Sequence, residues 1–183
     1  MKYKKGIICF IVGLLLILGI GYFYPLREKK QLSFSVSFNI RKLTDAEYRE
    51  VGTNGLINPQ QDDFRKGELI VEIKHTNAIY DRCLDIPSIK EIKMALNKKE
   101  EDRYWWATTT VQDNVHEDKA FYHYEFVFYS KGLDEGEIRD LFKELKVSGR
   151  WIDSYSKEHE EVFRLNDVIC FSERSSGEKA HLE

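Results

Sequence analysis

Cysteine is rare in this chain, and its placement closes one route to a membrane. Of the three cysteines in 183 residues, Cys9 lies near the start of an apolar run, directly behind Ile8. Lipid attachment to an exported protein needs a cysteine just after such a run and behind a small residue, so lipoprotein processing is excluded. Cys83 and Cys170 remain. In an exported domain they meet an oxidising space, where a bridge closing a loop of about 87 residues contributes about 4–5 kcal/mol by constraining the unfolded chain. The alternative is two independent buried thiols, which behave as small hydrophobes. Cys83–Cys170 stands as a candidate disulfide beside that alternative.

Signatures of catalysis are missing as well. There is no G-x-S-x-G elbow, no G-x-x-x-x-G-K-[ST] loop and no H-E-x-x-H helix. Carboxylates are abundant, but acid–base work needs two at a defined separation in a cleft. No enzyme activity and no cofactor are expected. The acidic stretches Glu100-Glu101-Asp102 and Glu158 to Glu161 lack an Asp-x-Asp-x-Asp-Gly pattern, so they read as solvated turns rather than Ca²⁺ sites. Beyond the flanks of the apolar segment no run of Lys/Arg is longer than a pair. The first thirty residues hold six Lys/Arg and one Glu, leaving 22 basic and 30 acidic residues and a net charge of −8 on the rest. Phosphate backbones repel such a surface, so nucleic acid is not expected as a partner. No internal repeat is found.

What the chain does have is one long greasy stretch. Gly6 to Tyr24 are nineteen residues without a charge. A helix of that length spans about 28 Å, against a hydrocarbon core of about 30 Å. A cleavable signal carries only about 7–15 apolar residues before a small-x-small site. Gly19-Ile20-Gly21 is the one candidate, followed at once by Tyr22, Phe23 and Tyr24, whose rings suit headgroup depth. The expected organisation is a cytoplasmic arm over 1–5, a transmembrane anchor in the lipid bilayer over 6–24 and a juxtamembrane linker over 25–30. An extracytoplasmic domain follows over 31–172, then a flexible tail over 173–183. A cleaved signal and a pilin-like leader are the alternatives. Lys4-Lys5-Gly6 resembles the latter, but Ile11 stands where such a leader carries Glu. The glycines at 6, 13, 19 and 21 make no G-x-x-x-G, which argues against tight helix pairing.

Beyond residue 31 the hydropathy switches to period two. Leu32 to Ile40 is apolar at every even position and polar at every odd one, a half-buried strand. A second strand is expected over Glu68–Lys74. The excursion between them opens with Thr44-Asp45-Ala46-Glu47, a capping box and the start of a short helix. Ile89, Ile92 and Leu96 suit a helix begun by Pro87, whereas Ile92, Met94 and Leu96 suit a strand; the strand is the expectation. Tyr104 to Val111 and Ala120 to Tyr129 follow as strands, with Tyr122, Tyr124, Phe126 and Phe128 assigned to core. Ile138, Leu141, Phe142 and Leu145 then recur at helical spacing behind Asp134 and Glu137, with Gly149 beyond the end. Lys146–Ile152 and Glu161–Phe171 complete about seven strands. Short connections imply a mainly β fold, an Ig-like antiparallel β-sandwich with one connecting helix.

Two groups of residues carry candidate chemistry. His116, Glu117 and Asp118 share a turn, and His123 and Glu125 share one side of a strand; a hairpin gathers them into a nitrogen and oxygen set. No H-x-x-x-H spacing supports them, so they are read as surface polar residues and no metal is assigned. Tyr104, Trp106, Thr108 and Thr110 share one strand face, opposite Trp105, Ala107 and Val111. With the second set inward, the first forms a candidate binding surface, an aromatic shelf for a sugar ring or a protein. Under a covering loop, such as 44–67, the same rings become core. The expected function is a non-catalytic binding module for a protein or envelope component. A structural subunit of a membrane or pilin-like assembly, and a hydrolase of envelope polymers, are the other readings.

Overall fold

A computed structural model describes residues 32–53, 55–76, 79–98, 102–114 and 117–172. The expected arm, anchor, linker and tail, over 1–5, 6–24, 25–30 and 173–183, lie outside the described residues. Among the described residues no helix is long and apolar enough to cross a membrane.

Strand β1 (Leu32–Lys42) alternates as expected: Leu32, Phe34, Phe38 and Ile40 are buried, while Ser33, Ser35 and Ser37 face water. It pairs antiparallel with β2 (Phe64–His75). Between them α1 (Asp45–Glu50) starts at the expected capping box. The Glu47 N–H donates to Thr44 Oγ1 at 3.3 Å and the Thr44 N–H donates to Glu47 Oε2 at 2.9 Å. Each bond satisfies a backbone group that the first turn cannot. A 3₁₀ turn over Gln61–Asp63 then leads into β2.

After β2 the chain makes β3 (Ile79–Asp85), α2 (Ile89–Leu96), β4 (Tyr104–Asp113), β5 (Lys119–Tyr129) and α3 (Glu135–Leu141). It finishes with β6 (Lys146–Asp153), β7 (Glu158–Arg164), the helical turn α4 (Leu165–Val168) and β8 (Ile169–Ser172). The strands form a five-stranded sheet, order β4-β5-β2-β1-β8, and a three-stranded sheet, order β3-β6-β7. The protein is mainly β, with two sheets and few helices, consistent with a β-sandwich. Every pairing is antiparallel except β1 with β8.

The sheets meet through Phe34 of β1. Its ring packs edge to face on Phe163 of β7 at 5.1 Å. A Cβ at Gly149 of β6 would come within 2.6 Å of the same ring. Gly149 is therefore a residue of close approach, not the helix terminator its position suggested. Phe38, Ile40, Leu69, Val71, Ile73, Phe126 and Phe128 line the inner face of the larger sheet. Ile92 and Leu96 of α2, with Ile138, Leu141 and Phe142 at α3, close the core over them.

Three expectations are corrected. Residues 89–96 are helix, not strand: Ser88 and Glu91 form a capping box behind Pro87, Ile92 and Leu96 are buried, and Met94 is 63% exposed. The run 161–171 is two strands in different sheets, parted by α4, where Leu165 turns into the core. Strand β3 carries no alternation to announce it: Asp81 takes a left-handed conformation (φ 51°) and the register with β6 slips between Tyr80 and Cys83. The count among the described residues is eight strands and four short α-helices, against the expected seven or so strands and one connecting helix.

Candidate functional site

The four residues of the expected shelf share a strand but not a face. Tyr104 lies opposite Phe128 and Trp106 opposite Val127, so β4 carries one extra residue, Trp105, at a β-bulge. The bulge reverses the alternation. Tyr104 joins the main core, where burial pushes its phenol up from its ordinary value and the Lys93 ammonium lies 5.3 Å from the ring centroid. Trp106 points to the outward face, half-buried in a second cluster with Leu43, Val51, Phe64 and Val127, against which Tyr48 also packs. The segment from Leu43 to Val51 thus packs over Trp106, while Tyr104 lies away from it in the main core. Thr108 and Thr110 lie on the outward face and are exposed.

Strand β4 is also an edge. The Tyr129 N–H donates to the Arg103 carbonyl at 2.7 Å, whereas the Ser130 N–H donates to Asp63 at 2.7 Å on the β2 side. In an antiparallel ladder alternate residues turn both backbone groups to the same neighbour. Odd residues of β5 therefore bond to β4, and their partners Trp106, Thr108, Thr110 and Gln112 face β5. Ala107, Thr109 and Val111 turn their N–H and carbonyl groups out of the sheet. Thr109 is exposed and Val111 is 53% exposed.

On the outward face, Glu68 of β2 lies directly opposite Glu125 of β5. Like charges in that position repel. Each carboxylate has a different companion: His123 Nε2 is 2.9 Å from Glu68 Oε1, and Lys66 Nζ is 2.6 Å from Glu125 Oε1. Lys66 also reaches Glu47 at 3.3 Å, and Arg41 clasps Glu47 through two bonds of 2.6 and 2.7 Å. The Arg41 bonds, the Thr44 N–H and Lys66 hold the Glu47 carboxyl down at about 2, against burial, which acts the other way. Glu47 in return raises the Arg41 guanidinium. Among the described residues, Glu68, His123 and Glu125 are the group that could hold a metal, their ligand atoms all lying within 4.8 Å of one another.

The sequence put His123 and Glu125 on one side of a strand but looked for their companions at the 116–118 turn. His116 lies outside the described residues. Glu117 is bonded by Asn114 at 2.7 Å, and the Asp118 carbonyl accepts the His75 N–H at 2.8 Å. The companion is Glu68, 55 positions from His123, brought there by strand register alone. No local spacing signals it.

Cys83 and Cys170 are exposed and unbridged. Cys83 stands opposite Arg150 in the smaller sheet and Cys170 opposite Asn39 in the larger. Each points outward from its own sheet with the core between them, so neither the candidate disulfide nor the buried-thiol alternative is realised. At the far corner of β4, Asp113 accepts hydrogen bonds from Arg82 of β3 and from the Tyr122 hydroxyl at 2.5 Å, tying the two sheets together. Burial and the Asp113 carboxylate both push the Tyr122 phenol up. A cleft of about 330 Å³ between β1, β8 and α3 is lined by Ile40, Arg41, Arg65, Asp134, Ile138 and Phe171. It carries both signs of charge, and its Arg41 is committed to Glu47. Comparison with known protein families, with curated proteins and with solved structures finds no match.

Proposed function

We propose that this protein is a membrane-anchored binding module that takes an extended segment of a partner protein along the open edge of β4. The observation that carries this reading is the outward-turned backbone of Ala107, Thr109 and Val111, flanked by the exposed side chains of Thr108 and Thr110. Unpaired donors and acceptors at strand spacing are complemented by another extended backbone, which adds a strand to the sheet. A polysaccharide has no such alternation, so the partner is a protein. From Ala107 to Val111 the edge has no charge and no proline, the devices that ordinarily blunt exposed edges. An Ig-like domain suits this role. The orders β4-β5-β2-β1 and β3-β6-β7 match the two sheets of the constant-type immunoglobulin sandwich, with β8 added beside β1.

The test uses the full chain in its native membrane. A photo-crosslinking side chain at Thr110 is expected to trap a discrete partner, and one at Glu72, on the same face of the central strand β2, is not. Thr109→Pro removes an outward N–H that β5 does not use. It is expected to abolish the crosslink while the domain stays folded. Equal trapping from both positions, or trapping that survives Thr109→Pro, would overturn the reading; a crosslink to a second copy would name the partner as the chain itself. The orientation, with residues 6–24 spanning the bilayer and the domain outside, is tested at the exposed thiols. A membrane-impermeant maleimide is expected to label Cys170 in cells with an intact membrane. Labelling only after lysis would place the domain inside.

A further inference from the structure

We propose that Glu68, His123 and Glu125 bind a divalent first-row transition-metal ion on the outward face of the five-stranded sheet. The site does not depend on the β4 edge. It comes from two adjacent strands, β2 and β5, held in register without a bulge, and each of them is paired on both sides. One imidazole nitrogen and two carboxylates favour ions such as Zn²⁺ or Mn²⁺ over Ca²⁺, which takes six to eight oxygens. Bonds of about 2.0–2.2 Å set tetrahedral ligand atoms roughly 3.4 Å apart. The three ligand atoms, now within 4.8 Å of one another, reach that spacing by small side-chain rotations.

The facing pair Glu68 and Glu125 supplies the driving force, since a cation between them removes a repulsion that the strand register imposes. The ion takes the place of the hydrogen between His123 Nε2 and Glu68 Oε1; a neutral ring takes up a proton at Nδ1 from solvent as it gives up the one on Nε2, and a charged ring releases its Nε2 proton to solvent and keeps the one on Nδ1. Lys66 competes for Glu125. Its ammonium has an alternative partner in Glu47, already 3.3 Å away, and shifts there when the ion enters. Thr108 lies opposite Glu125 and Thr110 opposite His123, both exposed, so the remaining coordination positions open to water.

Calorimetric titration of the full chain in detergent with Zn²⁺ is expected to show saturable one-to-one uptake. Affinity should fall at least tenfold in His123→Ala and in the near-isosteric Glu68→Gln, each confirmed folded by thermal melting. Lys66→Met should bind at least threefold more tightly, an outcome opposite to that of a purely structural ion-pair network. Co²⁺ substitution should give d–d bands without thiolate charge-transfer absorption, which separates this site from the cysteines. Absence of saturable uptake overturns the site, as does undiminished affinity in both ligand variants. Thiolate absorption, or weakened binding in Lys66→Met, overturns it equally.

Discussion

The two ends of the outward face of the larger sheet are built from the same strands and have opposite fates. At one end the 43–63 excursion lays Leu43, Tyr48 and Val51 over Phe64, Trp106 and Val127, and makes a second small core. At the other end Ser33, Ser35, Ser37, Thr108 and Thr110 stand in water. Lys66, Glu47 and Arg41 form the seam between them. The lesson is that strand propensity does not distinguish a packed face from a free one. Thr110 and Trp106 are both good strand residues, and only the reach of a neighbouring segment decides which is covered.

The largest effect should come from breaking the covered end. Phe64 is fully buried, with Tyr129, Trp105 and Tyr48 rings at 5.2, 5.6 and 5.8 Å. Phe64→Ala should cost about 3–5 kcal/mol in chemical denaturation. A loss below about 1 kcal/mol would show that the excursion rests on the sheet without contributing to it.

The seam should give an intermediate effect with a pH signature. The Glu47 carboxyl is depressed in the folded protein, from an ordinary 4.5 to about 2. Its ionised form is therefore the one the fold favours. Its contribution is fully present above pH 4.5 and is lost as pH falls toward about 2. Allowing for its partial exposure, Glu47→Gln should cost about 1–2 kcal/mol near neutral pH. The variant should also show a shallower loss of stability between pH 4.5 and 2, read from denaturation curves at several pH values. An unchanged slope would remove Glu47 from the seam.

The bare end should be nearly silent. Ser35→Ala and Thr108→Ala should each stay within about 0.5 kcal/mol of the parent in the same assay. A larger cost at either site would mean that this end is covered as well.

Much of this architecture is legible in the chain, for identifiable reasons. Strands β1, β2, β5 and β6 announce themselves because each is buried on one face. The caps at Thr44 and Asp134 are local signals read locally. For residues 89–96 the decisive clue was also local, Ser88 with Glu91 behind Pro87, and it outweighs the alternation of Ile92, Met94 and Leu96. Other features depend on the rest of the fold. The bulge at Trp105 reverses which β4 side chains face the core, so a surface deduced from strict alternation mixes two faces. Leu165 sends the chain from one sheet to the other inside what reads as a single strand. The meeting of Glu68 with His123 and Glu125 depends on register between strands far apart in sequence, which a single sequence does not encode at any fixed spacing.

The parallel seam of β1 and β8, with Phe38 to Arg41 opposite Ile169 to Ser172, has a mechanical consequence. Pulling on Leu32 and Ser172 drags the two strands lengthwise past one another, so the bonds between them bear the load together instead of opening one by one. Stretched from its ends, the domain should hold against forces that would unzip it from β4.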